Sequence, residues 1–214
     1  MLWFESNDLH RHLRVTPLLA ERAALRASLR AARRRLSPSD RQTIARAIAG
    51  HVRAAGWFRP GKRIGLYLPL PDEIPTLPLL QLAAERDCQI YLPRIIDYRA
   101  RSMRFVRPGS QWRRNRFGIL EPLGHETLSA RWLDCIFLPA LGVDQRGARL
   151  GFGAGYYDRA LAFRRFRQHW RGPRLVALVA TIQVATLIPD QAHDIRSDAI
   201  ATESGIVPTD RSAP

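Results

Sequence analysis

The sequence predicts an α/β protein: an open, mostly parallel sheet flanked by helices on both faces, in a three-layer, Rossmann-like arrangement. Short apolar runs alternate with helical patterns along the chain, the rhythm of strand–helix–strand units. One run, Leu175–Val179, is continuously apolar, as expected of a strand covered on both faces. The length of 214 residues and a hydrophobic fraction of 46% suffice for one well-filled core. The expected organisation is a flexible N-terminal arm over residues 1–16, a single α/β domain over 17–207, and a disordered polar tail over 208–214.

The spacing of Leu18, Leu25, Leu29, Ala32 and Leu36 predicts a helix over Leu18–Leu36 with one buried face. Arg22, Arg26, Arg30 and Arg33 form a second stripe on that helix. Such a stripe reads first as a solvated face and second as guanidinium groups aimed at bound phosphate. Ser37-Pro38-Ser39-Asp40 starts the next helix, with Ser37 as N-cap and Asp40 near the positive end of the dipole. That helix ends near Gly56. A strand follows over Arg63–Leu68, closed by Pro69, and a helix over Thr76–Glu85. Strands are expected at Gln89–Leu92, Met103–Val106, Leu133–Leu138, Leu175–Val179 and Ile200–Thr202, and a further helix at Tyr156–Gln168. In such sheets ligands bind beyond the carboxyl ends of strands. The loops after Leu68 and Leu138 are therefore the places for a site.

Composition narrows the function classes. No apolar stretch reaches membrane-spanning length. The N-terminus carries Glu5 and Asp8 and lacks a long apolar core, so it is a poor secretory signal. Cys88 and Cys135 are the only cysteines, and both sit beside strand-like runs. Reduced thiols in a cytoplasmic protein are expected. The formal net charge is +15, and Lys62 is the only lysine among the 34 Lys and Arg. Arginine is thus used almost everywhere that a cation is needed, which weakens any reading of the charge as a chosen nucleic-acid surface. That reading stays open, resting on a pI of about 11.4, on Arg33-Arg34-Arg35, and on Arg164-Arg165-Phe166-Arg167 near Trp170-Arg171.

The chemistry concentrates in Leu138–Leu161. An apolar run ends at Pro139, a loop carries Gly147, Gly151, Gly153 and Gly155, and Tyr156-Tyr157-Asp158 opens a helix. Glycines admit close backbone approach to a ligand, and a helix N-terminus offers free N–H groups to phosphate. Arg149 adds a charged fork, and Asp158 is a hard oxygen ligand for magnesium. The spacing fits neither the dinucleotide fingerprint nor a P-loop. A plain glycine-rich turn remains the competing reading.

The string from Pro139 through Asp144, Gly147, Arg149, Leu150, Gly151, Gly153, Gly155, Tyr156, Tyr157 and Asp158 resembles the signature of the 5-formyltetrahydrofolate cyclo-ligase family. Further segments extend the resemblance over most of the chain. They are Arg22-Ala23-Ala24-Leu25-Arg26, Asp72-Glu73-Ile74-Pro75-Thr76, Phe117-Gly118-Ile119-Leu120-Glu121-Pro122, and His193-Asp194 with Asp198 to Glu203. Three departures stand out: Arg22 replaces a lysine, Gly142-Val143 stands where a bulkier pair is common, and Ala154 takes a Gly or Lys position.

The resemblance implies an enzyme that uses ATP as co-substrate with Mg2+. It would convert 5-formyltetrahydrofolate, with or without a polyglutamate tail, to 5,10-methenyltetrahydrofolate through an iminophosphate intermediate. It implies ATP contacts from Arg22, Arg26, Arg149, Leu150, Gly151, Phe152, Gly153, Ala154, Gly155, Tyr156 and Tyr157, with Arg149 catalytic. It implies folate contacts from Leu68, Glu73, Phe117, Tyr156 and Tyr157, and metal ligation by Asp158 and Asp194. From the residues alone Phe117 is equally a core residue, and Trp112 an alternative stacking partner. A monomer without membrane or specific nucleic-acid partners is expected. A relative that keeps the fold without the activity is the remaining alternative, against which the intact Arg149, glycines and Asp158 speak.

Overall fold

The computed structural model, which describes residues 6–166 and 172–210, builds the expected three layers. Along the chain run α1 (Ser6–Arg34), α2 (Pro38–Ala54), β1 (Arg63–Gly65), α3 (Leu77–Glu85), β2 (Gln89–Asp97), β3 (Ser102–Val106), β4 (Trp112–Arg114), β5 (Leu120–Pro122), β6 (Thr127–Leu128), β7 (Cys135–Pro139), β8 (Gly142–Val143), β9 (Arg149–Leu150), α4 (Tyr156–Ala160), β10 (Arg174–Leu178), β11 (Ala199–Thr202) and β12 (Gly205–Pro208). The main sheet has the order β12-β11-β10-β7-β1-β2-β3-β6. Its centre, β11 to β2, is parallel, and antiparallel strands close both edges.

Side chains alternate across a strand, and here both sets are covered. Cys135, Phe137, Val176 and Leu178 face α2 and α3, where Ile44, Ile48, Val52, Leu79 and Leu82 pack. Ile136, Leu138 and Leu175 face the opposite layer, which holds Leu161, Tyr156 and Tyr157. Each such fully buried aliphatic side chain stabilises by about 1.5–3 kcal/mol. α2 starts at the predicted place: the Ser37 hydroxyl accepts from Asp40 N at 3.1 Å, and the Asp40 carboxylate accepts from Ser37 N at 2.9 Å. β2 runs through Pro93, where the sequence placed its end. β1 pairs with β2 only at residues 89–91, so Pro93 lies on a free flank where a missing N–H is tolerated.

Several boundaries differ. α1 begins at Ser6 and takes in Pro17, so residues 6–16, assigned to an arm, are helical; residues 1–5 lie outside the described residues. α4 stops at Ala160 and continues as a 3-10 turn over Ala162–Phe166, while the expected end at Gln168 lies outside the described residues. At the C-terminus, Pro208 belongs to a strand, Thr209 Oγ1 donates to Ser197 O at 2.6 Å, and Asp210 N donates to Gln145 O at 3.1 Å. That part of the expected tail is therefore tied down; residues 211–214 lie outside the described residues.

The position of α1 matters most for the site. It crosses the β8–β9 ribbon and buries Leu29 with Leu141, Ala148, Leu150 and Ile188. An ideal Cβ on Gly142 would sit 2.5 Å from Leu29 Cδ1 and 2.9 Å from Gln183 O. The helix thus rests directly on the ribbon backbone at that point, which gives the Gly142 departure a packing reason.

Candidate functional site

A cavity of about 400 Å³ opens beyond the carboxyl ends of β1 and β7, where Leu68 and Pro139 line its floor. It gathers nearly all of the sequence-predicted residues: Arg22 and Arg26 from α1; Arg149, Gly151, Phe152, Gly153, Ala154 and Gly155 from the glycine loop; Tyr156, Tyr157 and Asp158 from α4; and Leu68, Glu73, Phe117 and Asp194. The exception is Leu150. Its side chain is fully buried in the cluster with Leu29 and Leu141, because consecutive residues of β9 point to opposite sides.

One end of the cavity is charged. Arg22 Nη1 donates to Asp194 Oδ2 at 2.6 Å and to Pro189 O at 2.5 Å. Arg26 Nε donates to Gly151 O at 3.1 Å, fixing the glycine loop to α1. Burial, with help from the Arg22 charge, pulls Arg26 below the usual arginine range. Arg149 Nη2 donates to Asp158 Oδ1 at 2.9 Å, and the Arg149 guanidinium lies 5.8 Å from the Tyr157 ring centroid. The arginine stripe of α1 is therefore no solvated face. Arg22 and Arg33 are 5% and 1% exposed, and Arg30 and Arg33 lie over the Phe152 ring.

The loop holds its shape through Gly153 and Gly155, both at positive φ (+93° and +71°), a region that side chains with a Cβ resist. The helix that follows has only five residues. Its dipole is correspondingly small, and the guanidinium groups of Arg22, Arg26 and Arg149 stand in the same cavity.

The other end is apolar. Phe117 sits at the tip of the β4–β5 hairpin, 48% exposed, with its ring edge-on to Tyr156 and Tyr98 at centroid distances of 6.3 and 6.2 Å. It is thus a cavity wall and not core, whereas Trp112 does not line the cavity. Asn115 makes the tip: its Oδ1 accepts from Phe117 N at 2.9 Å and Ile119 N at 3.1 Å, and its Nδ2 donates to Glu121 Oε1 at 3.0 Å. The Asn-x-x-Gly spacing of a side-chain-stabilised turn was the available signal for it. Glu73 is 6% exposed, and its Oε2 accepts from Leu70 N at 2.8 Å. Burial raises its carboxyl to about 7, against the pull of the Leu70 N–H and the Arg33 charge. Burial likewise pushes the Tyr157 phenol well up, helped by the Glu73 charge. Thr76 does not cap α3 with its side chain; its Oγ1 donates to Tyr67 O at 2.6 Å and ties the Glu73 loop to the strand end.

Asp158 and Asp194 suit a magnesium ion that also binds phosphate. Each gives one oxygen to an arginine, which leaves Asp158 Oδ2 and Asp194 Oδ1 without a hydrogen bond among the described residues. Magnesium needs only one or two protein carboxylates when phosphate oxygens and water complete its shell. Among the described residues there is no group of three or more metal-binding side chains. The basic runs are less available to nucleic acid than the sequence suggested. Arg33 is buried, and Arg164 pairs with Asp198 at 2.6 Å. Arg167, Trp170 and Arg171 lie outside the described residues. No helix among the described residues is long and apolar enough to cross a membrane.

Known proteins are similar to this chain over most of its length. The 5-formyltetrahydrofolate cyclo-ligase from Mus musculus is 32% identical over 190 residues, covering 84% of this chain and 92% of its own length. That from Escherichia coli strain K12 is 27% identical over 184 residues, covering 83% and 98%. The NMR structure of Aquifex aeolicus 5,10-methenyltetrahydrofolate synthetase superposes with a TM-score of 0.74 at 26% identity, covering 87% of this chain and 92% of that one. A Mycoplasma pneumoniae 5,10-methenyltetrahydrofolate synthetase shares the fold, with a TM-score of 0.67 at 22% identity, covering 85% of this chain and 98% of its own. The family model of the 5-formyltetrahydrofolate cyclo-ligases matches residues 19–203, and the chain belongs to that family.

Proposed function

We propose that this protein converts 5-formyltetrahydrofolate to 5,10-methenyltetrahydrofolate, using ATP with magnesium and releasing ADP and phosphate. The observation that carries this reading is a single cavity with a cluster of buried arginines at one end and an aromatic wall with a buried carboxylate at the other. Nucleotide phosphates fit the first and a flat, N–H-bearing pterin the second. In this reading the formyl oxygen attacks the γ-phosphorus as ADP leaves. N10 then attacks the activated formyl carbon, loses its proton, and expels phosphate as the ring closes.

Phosphoryl transfer asks a protein mainly for positioning and charge neutralisation. Arg149, Arg26 and Arg22 would bind phosphate oxygens, and the exposed backbone of the glycine loop would follow the phosphate chain. Asp158 and Asp194 would hold magnesium, which supplies charge neutralisation to the phosphates. Glu73 would accept pterin N–H groups, and Phe117 would stack on the ring. Tyr156 and Tyr157 would close the folate side. A covalent protein nucleophile is not needed, in keeping with Cys135, whose buried thiol is pushed up to about 12.

The test is steady-state turnover, followed by the near-ultraviolet absorbance of methenyltetrahydrofolate. Product that requires both ATP and magnesium is expected. A folded protein that forms no product, or forms it without ATP, would overturn the reading.

A further inference from the structure

Arg33 sits in the last turn of α1 and is 1% exposed, yet its hydrogen bonding is sparse. Nη2 donates to Asp72 Oδ2 at 2.6 Å. Nη1 stops 3.8 Å short of Glu73 Oε1, and both Nη1 and Nε are buried without a hydrogen-bond partner. The Phe152 ring of the glycine loop covers the guanidinium at 5.2 Å, and Arg33 does not line the cavity. A buried charged donor without a partner is costly, and a packed apolar residue at such a position is often no worse for stability. Packing alone therefore does not account for Arg33.

We propose that Arg33 is a positioning residue that sets the folate affinity of this site by presenting its buried charge to the Glu73 carboxylate from behind. The inference rests on the function proposed above. Four titratable or charged groups face Glu73: Arg33 from α1, the neighbouring Asp72, Tyr67 beyond β1, and Tyr157 from α4. Arg33 is the cation among them. Burial pushes Glu73 up to about 7, and the Leu70 N–H and Arg33 oppose it. Near neutral pH the carboxylate is therefore balanced between its two forms, and loss of the cation tips it towards the acid. A protonated Glu73 accepts the N–H groups of a pterin less well. Asp72 is the second anchor: burial pushes it up, but the Arg33 hydrogen bond and charge overrule this and hold it ionised. Arg33 thereby also fixes the turn from which Glu73 projects.

The experiment measures KM for 5-formyltetrahydrofolate against pH, at saturating ATP, in wild type, Arg33→Leu, Arg33→Lys and Glu73→Gln. An opposite charge at this range lowers a carboxyl by one or more units. In Arg33→Leu, KM at neutral pH should therefore rise about tenfold, and the pH below which KM climbs should move up by about one unit. The kcat should stay within about twofold, and Arg33→Lys, which keeps the charge, should recover most of the loss. In the Glu73→Gln background, Arg33→Leu should add less than about twofold to KM. If Arg33→Leu does not fold, Arg33→Gln removes the same charge and is read the same way. A pH profile that stays where it is in a folded variant, or an equal KM increase without the Glu73 carboxylate, would overturn the inference alone. Absence of turnover in the wild type would instead remove the proposed function and this inference with it.

Discussion

At the charged end of the cavity each arginine already has a partner before any ligand arrives. Arg22 is held by Asp194, Arg26 by the Gly151 carbonyl, and Arg149 by Asp158. At the apolar end the Glu73 carboxylate is nearly sealed from water, with a backbone N–H at 2.8 Å and a cation out of hydrogen-bond reach, and the Phe117 ring on the same end is half exposed. The difference is one of preparation. Arginines paired with carboxylates stay fixed, and an incoming phosphate exchanges one anion for another without an orphaned charge. The apolar end instead keeps water away from the Glu73 carboxylate, whose charge state becomes sensitive to its surroundings.

Breaking the charged end should have the largest effect. Arg149→Ala removes the proposed phosphate donor and the cation beside Asp158; kcat/KM for ATP should fall about 100- to 1000-fold in steady-state assays. The apolar end predicts a pH-dependent stability. The carboxyl of Glu73 lies at about 7 in the folded chain, against about 4.3 in an unfolded one. The folded form therefore holds a proton that the unfolded form has lost, so stability is fully present below the unfolded value and falls as pH rises through the folded one. Glu73→Gln removes that loss. It should stabilise the protein at about pH 8 relative to about pH 5, by something on the order of 2 kcal/mol in paired thermal melts. Gly142→Ala would force a methyl group into Leu29 and should destabilise by about 1–3 kcal/mol in denaturant melts. Because Leu29 lies on the helix that bears Arg26, its kinetic effect should appear in KM for ATP. Phe117→Ala should have the smallest effect, raising KM for folate about tenfold while KM for ATP stays within about twofold.

The same contrast explains what could be read in the sequence. The glycine loop packs Arg149 to Asp158 into one contiguous stretch of unusual residue types, so its chemistry is legible before any fold is known. The apolar end is assembled from residues far apart in the chain, such as Leu68, Ile95, Met103 and Ile119, and nothing marks an aliphatic residue as cavity wall and not core. The arginine stripe of α1 shows another limit: charge at helical spacing looks the same whether it faces water or a loop that folds over it. The central strands were visible because both of their faces are apolar. The exposed β4 strand, Trp-Arg-Arg, has no alternation to betray it, although it carries the hairpin that presents Phe117. The premature end of α4 left no mark either, since Leu161 and Phe163 continue a helical pattern.

A crossed titration tests the two-ended cavity most directly: calorimetric binding of magnesium–ADP and of 5-formyltetrahydrofolate, each to Arg149→Ala and to Phe117→Ala. The account predicts that Arg149→Ala loses about a hundredfold or more in nucleotide affinity with folate affinity nearly unchanged. For Phe117→Ala it predicts a loss of about tenfold for folate alone. Equal weakening of both ligands by either variant, or a folate loss that tracks Arg149 and not Phe117, would contradict it.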